Sequence, residues 1–148
     1  MFRGRDQSTI DKAGRLKVPA AMRRKLLDAF GPDVFMTLYP IQPGRLSIFP
    51  LKVWVEKEKM VQAIPDSVPE KHQFLDFVNY WGDDRSLDDQ GRLTIPLHIL
   101  KKLGLNGEVT VMGGIDRLLV MTPEEADHLA LDTPPAPQLF ETLRQYGV

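Results

Sequence analysis

The chain has 148 residues, 43% of them hydrophobic, and a formal net charge of −1 at pH 7. This length and composition suit one ordinary domain, or two small halves that share a hydrophobic core. The absence of cysteine excludes disulfide bonds, cysteine-ligated zinc and thiol catalysis.

The chain starts with the charged segment MFRGRDQSTI, which contains no apolar signal core. No apolar run approaches the ~18 residues that a membrane helix needs. We therefore expect a cytoplasmic protein without a membrane partner. Charge is unevenly distributed: residues 1–30 contain eight basic and three acidic side chains, a net charge of +5, whereas residues 122–148 contain one basic and five acidic side chains, a net charge of −4.

A nine-residue motif occurs twice. It reads DKAGRLKVP over 11–19 and DDQGRLTIP over 88–96, so that corresponding positions are 77 residues apart. Asp followed three residues later by Gly predicts a hairpin turn, because the Asp side chain can accept hydrogen bonds from nearby backbone N–H groups and Gly supplies a positive φ. The residues predicted to form these turns are Asp11, Gly14, Asp88 and Gly91.

Strand periodicity after each turn separates an apolar face from an exposed one. The side chains predicted to point into the core are Leu16, Val18, Leu93 and Ile95. Arg15 and Arg92 are predicted to point outwards, where a guanidinium group can bind guanine O6 and N7 through two hydrogen bonds. Lys17, Arg3 and Arg5 would add phosphate contacts. The residues therefore predict a DNA-binding site.

Other roles remain open for the same residues. Asp11 and Asp88 are interpreted mainly as turn-formers that can also orient their arginines. Arg15 and Arg92 could instead be solvated strand residues, or could simply pair with these aspartates. Arg23, Arg24 and Lys25 are interpreted as a hydrated helix face rather than as a nucleic-acid contact.

Short helices are predicted after both motifs, with Pro19 and Pro96 in their first turns. The first helix ends at Gly31-Pro32 and the second at Gly104. The predicted apolar face of the first helix consists of Met22, Leu26, Leu27 and Phe30. Each repeat then continues into a second hairpin, with turns predicted at 42–44 and 114–116, and into a further helix.

A proline-containing linker, IPDSVP, joins the repeats and precedes a helix with an aromatic stripe. The stripe has helical spacing, which favours packing in the core or at a subunit interface over base stacking. Its members are Phe74, Phe77, Val78 and Trp81. We divide the chain into a first repeat with its following helix (1–64), a linker and connecting helix (65–82), a second repeat (83–133) and a C-terminal tail (134–148), with the two repeats forming one folded unit.

These features resemble the MraZ proteins, members of the swapped-hairpin AbrB-like superfamily. The resemblance is carried by the opening MFRG, the two D-x-x-x-R motifs, the Val-Pro and Ile-Pro that follow them, and RLSIFP with Trp54. It covers roughly residues 1–125. It implies an α+β, mainly β fold: a double swapped-hairpin barrel made from two tandem internal repeats flanked by short helices.

The resemblance also implies a function. The family suggests a transcriptional regulator, expected to repress the bacterial division and cell-wall gene cluster. Such a protein would bind direct repeats in promoter double-stranded DNA as a ring-shaped homo-oligomer associated with the nucleoid. No cofactor, metal ion or small-molecule ligand is indicated.

Three other functions compete with that of a transcriptional regulator. An enzyme is disfavoured, because the three histidines share no ligand spacing and the chain has neither a phosphate-binding glycine loop nor a recognisable catalytic pair. An AbrB-like antitoxin would keep the DNA-binding hairpins and use its tail to bind a partner. An oligomeric scaffold with weak DNA affinity would account for the acidic second half.

Overall fold

The computed structural model describes all 148 residues. The strands are β1 (Arg5–Ile10), β2 (Arg15–Lys17), β3 (Asp33–Tyr39), β4 (Gln42–Pro50), β5 (Asp83–Ser86), β6 (Arg92–Thr94), β7 (Gly107–Gly113) and β8 (Leu118–Met121). The α-helices are α1 (Ala20–Ala29), α2 (Leu51–Gln62), α3 (Pro69–Trp81), α4 (Leu97–Leu103), α5 (Pro123–Asp127) and α6 (Leu139–Arg144). A π-helical segment, His128–Asp132, follows α5. None of the helices combines the length and the apolarity that crossing a membrane requires.

All eight strands form one antiparallel sheet in the order β5-β3-β4-β8-β7-β1-β2-β6. The sheet curls into a nearly closed barrel. Its two end strands approach each other where Arg85 of β5 donates a hydrogen bond from Nε to the Thr94 carbonyl of β6, at 3.0 Å. The predicted α+β, mainly β fold is confirmed.

The two repeats interleave their strands. β1 pairs with β7 over six residue pairs, and its counterpart β5 pairs with β3 over four. β2 pairs with β6, and β4 with β8. Because each repeat supplies strands that complete the sheet of the other, most strand edges that one repeat would leave unpaired are hydrogen-bonded.

The barrel interior is filled by 19 buried hydrophobic side chains from both repeats. All four residues predicted to point into the core after the Asp–Gly turns are buried: Leu16, Val18, Leu93 and Ile95. A smaller cluster lies outside the barrel, where Trp54 of α2 stacks on Phe35 of β3 with ring centroids 4.6 Å apart. Phe74 and Phe77 of α3 pack against this cluster, which confirms that the aromatic stripe is a packing surface.

Three local predictions were wrong. The turn predicted at 42–44 lies instead at Pro40 and Ile41, because Tyr39 pairs directly with Gln42. The register then shifts, since the preceding residue of β3, Leu38, pairs with Leu46 of β4. Leu27 is 44% exposed, since α1 buries only the face that carries Met22 and Leu26. Pro19 and Pro96 occupy the N-cap positions of α1 and α4, one residue before the first turns in which they were predicted.

Candidate nucleic-acid interface

The predicted turn at Gly14 is present, and Asp11 organises it. One carboxylate oxygen, Oδ1, accepts the backbone N–H groups of Ala13 and Arg15 at 2.9 and 3.0 Å. The other, Oδ2, accepts the guanidinium Nε of Arg15 at 2.7 Å. Gly14 has a φ of +79°, a conformation that costs glycine little and other residues more. The carboxylate therefore shapes the turn and anchors the arginine at the same time.

The second motif repeats this arrangement. Asp88 accepts the backbone N–H groups of Gln90 and Arg92, both at 2.9 Å, and the Nε of Arg92 also at 2.9 Å. Gly91 has a φ of +75°. Seventy-seven positions apart, the same residue types thus produce the same turn and the same anchored arginine.

Hydrogen bonding stabilises the ionised form of both aspartates. The backbone N–H of Arg15, followed by its guanidinium and the N–H of Ala13, holds the pKa of Asp11 below its ordinary value. Arg92 does the same for the pKa of Asp88, again first through its backbone N–H. Of the three guanidinium nitrogens, each carboxylate binds only Nε, and the two terminal nitrogens have no hydrogen-bond partner within the chain. These are the nitrogens that a guanine edge would bind.

The pairing of β2 with β6 brings the two anchored arginines onto one outward face. Lys17 lies opposite Arg92, and Arg15 lies opposite Thr94. The side chains of Arg15 and Arg92 are 39% and 26% exposed, respectively. We call the pair β2–β6 the central ribbon. Its outward face is formed by Arg15, Lys17, Arg92 and Thr94.

Arg3 and Arg5 are exposed but lie away from the Gly14 turn. Arg5 begins β1 and pairs with Met112, whereas Ile10 at the other end of β1 pairs with Leu16 of the central ribbon. Five extended residues separate these ends, a distance of about 17 Å. The structure therefore brings Lys17 together with Arg15 and Arg92, and leaves Arg3 and Arg5 at the far end of the adjoining strand.

Each turn is covered by the helix of the other repeat. A Cβ atom on Gly14 would lie 3.0 Å from Cδ1 of Leu100 in α4, and one on Gly91 would lie 2.5 Å from Cδ of Arg23 in α1. Lys101, next to Leu100, lines the same groove as the Gly14 turn. Sequence reasoning gave neither Arg23 nor Lys101 a place at the turns, because the contacts cross between repeats.

The surface offers no metal centre. No group of three or more His, Asp or Glu side chains is arranged to hold a metal ion. Its chemistry is that of an anion-binding and hydrogen-bond-donating face, with two fixed guanidinium groups and a neighbouring ammonium group. Such a face suits the phosphates and the base edges of nucleic acid.

Comparison with known proteins identifies relatives of the whole chain. No family model matches the sequence. The transcriptional regulator MraZ of Koribacter versatilis is 36% identical over 152 aligned positions that span both chains completely. The transcriptional regulator MraZ of Acidobacterium capsulatum is 36% identical over 114 positions, 76% of each chain, and that of Geobacter sulfurreducens is 28% identical over the full length of both. The chain belongs to the MraZ family.

Proposed function

We propose that this chain is a sequence-specific DNA-binding transcriptional regulator. Its relatives carry the name of transcriptional regulators. The observation that carries the proposal is the central ribbon, on which Arg15 and Arg92 are each held by an aspartate at Nε with their terminal nitrogens unpaired. Two preorganised guanidinium groups on one exposed surface are suited to reading guanine.

A two-stranded β-ribbon fits the major groove of B-DNA. In this arrangement Arg15 and Arg92 contact base edges and Lys17 contacts a phosphate. Arg3 and Arg5, at the distant end of β1, contact phosphates further along the duplex. Phosphate contacts add affinity without reading sequence, so specificity rests on the two arginines.

The proposed targets are direct repeats in the promoter of the bacterial division and cell-wall gene cluster, where binding represses transcription. The chain would act in the cytoplasm, on the nucleoid, as a ring-shaped homo-oligomer. Joining several weak sites in one ring raises the effective concentration at neighbouring repeats without any new contact. A single repeat should therefore bind far more weakly than an array.

Fluorescence anisotropy tests the proposal. The labelled probe is a duplex of the DNA upstream of the gene for this chain, titrated at two salt concentrations, with a random-sequence duplex for comparison. The test variant is Arg15→Ala with Arg92→Ala. The control, Arg45→Ala with Arg144→Ala, removes two arginines from β4 and α6, outside the central ribbon.

We expect salt-sensitive binding that prefers the promoter duplex and is lost in the test variant but kept in the control. Oligomer size, measured by light scattering, should be the same in all three proteins. If the wild-type protein binds neither duplex, the regulator proposal fails and the oligomeric scaffold gains support. Equal losses in the test variant and the control would show that net charge, and not the ribbon, carries the binding.

A further inference from the structure

Two grooves flank the Asp–Gly turns at equivalent places in the two repeats. The Gly14 groove has a volume of about 400 Å³ and lies between the first turn and α4. The Gly91 groove has a volume of about 490 Å³ and lies between the second turn and α1. The two grooves are formed by the same backbone elements, so a difference in ligand binding between them must come from their side chains.

The side chains give the grooves opposite charge. The Gly14 groove contains Lys12 and Lys101 and a single carboxylate, that of Asp11. The Gly91 groove contains two carboxylates and a single cation, that of Arg23. The formal charge of the lining is therefore +1 in the first groove and −1 in the second. At the position of Lys12 the second motif has Asp89, 77 residues further along the chain.

The cations also differ in how they are held. Arg23 lies across Gly91, and its Nη1 is 3.5 Å from the Val18 carbonyl, so this cation is half-buried within the structure. In the Gly14 groove the aliphatic Leu100 covers the turn, so no cation is held against the glycine. Lys12 and Lys101 are exposed and make no hydrogen bond or ion pair within the chain.

The one carboxylate of the Gly14 groove is already occupied. Asp11 accepts two backbone N–H groups and the Nε of Arg15, so its negative charge is largely matched by donors before any ligand arrives. Two unpaired ammonium groups beside a neutralised carboxylate attract an anion. In the Gly91 groove Asp88 also accepts two backbone N–H groups and an arginine Nε. The exposed Asp89, however, adds a negative charge that repels an anion.

We propose that the Gly14 groove is a phosphate-binding site, in which Lys12 and Lys101 contact the DNA backbone beside the central ribbon, and that the Gly91 groove makes no such contact. The inference rests on the proposed function and deepens it. It assigns Lys101, a residue of the second repeat, to the DNA contact of the first turn. The two repeats therefore contribute unequally, although their turns have the same geometry.

The salt dependence of DNA binding tests this assignment. Each phosphate contact that is lost should reduce the slope of log affinity against log salt concentration by about 1. Lys12→Gln with Lys101→Gln should therefore reduce the slope by about 2, on both the promoter duplex and a random-sequence duplex. The preference for the promoter should stay the same, because phosphate contacts do not read sequence.

The matched control is Arg24→Gln. Arg24 occupies the position in α1 that Lys101 occupies in α4, 77 residues later, and is also exposed. The control removes one positive charge from the equivalent helix position beside the Gly91 groove and should leave the slope unchanged, whereas Lys101→Gln alone should lower it by about 1. All variants change exposed side chains, and thermal unfolding verifies that they fold.

Three results would overturn the inference. An unchanged slope in the double lysine variant, with normal binding by the wild-type protein, removes the phosphate site but leaves the regulator function in place. An equal loss of slope in Arg24→Gln and Lys101→Gln shows that the two grooves contribute alike. Failure of the wild-type protein to bind either duplex overturns both the site and the function.

Discussion

Lys17 and Arg92 lie directly opposite each other in the antiparallel pair of β2 with β6. Arg92 pairs with Asp88, but Lys17 has no ion-pair partner in the chain. Like charges at directly opposite positions of an antiparallel pair destabilise it. The ribbon therefore places two like charges at opposite cross-strand positions, where the proposed function needs positive charge.

The first prediction concerns this pair. Lys17→Glu replaces a like-charge contact with an opposite-charge one, which should raise the free energy of unfolding by about 0.2–1 kcal/mol. The same change should abolish DNA binding, because a carboxylate then faces the duplex and competes for Arg92. Urea unfolding and fluorescence anisotropy measure the two effects.

Lys17→Thr is the matched control, because Thr94 holds the corresponding position in the second repeat. It removes the repulsion without adding a negative charge, so DNA binding should weaken without disappearing. A Lys17→Glu protein that is less stable than the wild type would contradict the interpretation of this pair as a repulsive contact.

The second prediction separates the two roles of Asp11. Asp11→Asn keeps an oxygen for the backbone N–H groups of Ala13 and Arg15 but loses the charged partner of the Arg15 Nε. The turn should survive while the guanidinium loses its fixed orientation. We expect weaker preference for promoter over random-sequence DNA, together with equal or stronger binding to the random sequence, since a negative charge has been removed.

Asp11→Ala serves as the comparison, because it also removes the oxygen that accepts the backbone N–H groups of Ala13 and Arg15. This variant should therefore have a lower melting temperature. Unchanged discrimination between the two duplexes in Asp11→Asn would mean that Asp11 shapes the turn without positioning Arg15.

The third prediction uses two buried hydroxyl groups that face each other in the pair β3–β4. Thr37 donates from Oγ1 to the Val78 carbonyl of α3 at 2.7 Å, whereas the Oγ of its neighbour Ser47 has no partner. Thr37→Val should cost about 1–3 kcal/mol, because the buried carbonyl loses its donor. Ser47→Ala removes an unsatisfied group and should be neutral or stabilising.

Denaturant unfolding of the two variants gives both values, and neither change should alter DNA binding, because both sites lie outside the central ribbon. Equal destabilisation by the two changes would show that the Ser47 hydroxyl also contributes a hydrogen bond in the folded chain, which would contradict its interpretation as an unsatisfied group.

The fourth prediction concerns acid. Asp11 and Asp88 have pKa values below their ordinary value in the folded chain. The unfolded chain, whose Asp residues titrate near ~3.9, therefore binds protons more readily than the folded one. The stability that these carboxylates contribute is fully present above that unfolded value and is lost as the pH falls through the lowered folded values.

A carboxyl titration followed by NMR should give midpoints below ~3.9 for both residues. The largest cause of the lowered pKa of Asp11 is the backbone N–H of Arg15, so its pKa should stay lowered in Arg15→Ala, although less so. A return to the ordinary value in that variant would show that the guanidinium alone is responsible.

Local features of this protein follow from the sequence. The repeat at 77 positions, the turns at Gly14 and Gly91 and the alternation that buries Leu16 and Leu93 are all present in the structure. Each depends on residues a few positions apart, whose side chains and backbone preferences act on the same short segment. The resemblance to the MraZ family also rested on short local motifs, and a relative that aligns over the whole chain supports it.

Tertiary structure alone decided how these segments meet. The pairing of β1 with β7 and of β5 with β3 joins residues far apart in the sequence, and alternation within one strand does not specify which strand lies beside it. That exchange places Lys17 opposite Arg92, Lys101 beside the Gly14 turn and Arg23 across Gly91. Each groove thus takes one wall, and one cation, from the helix of the other repeat, whereas the difference in charge between the grooves comes from Lys12 and Asp89 in the turns themselves.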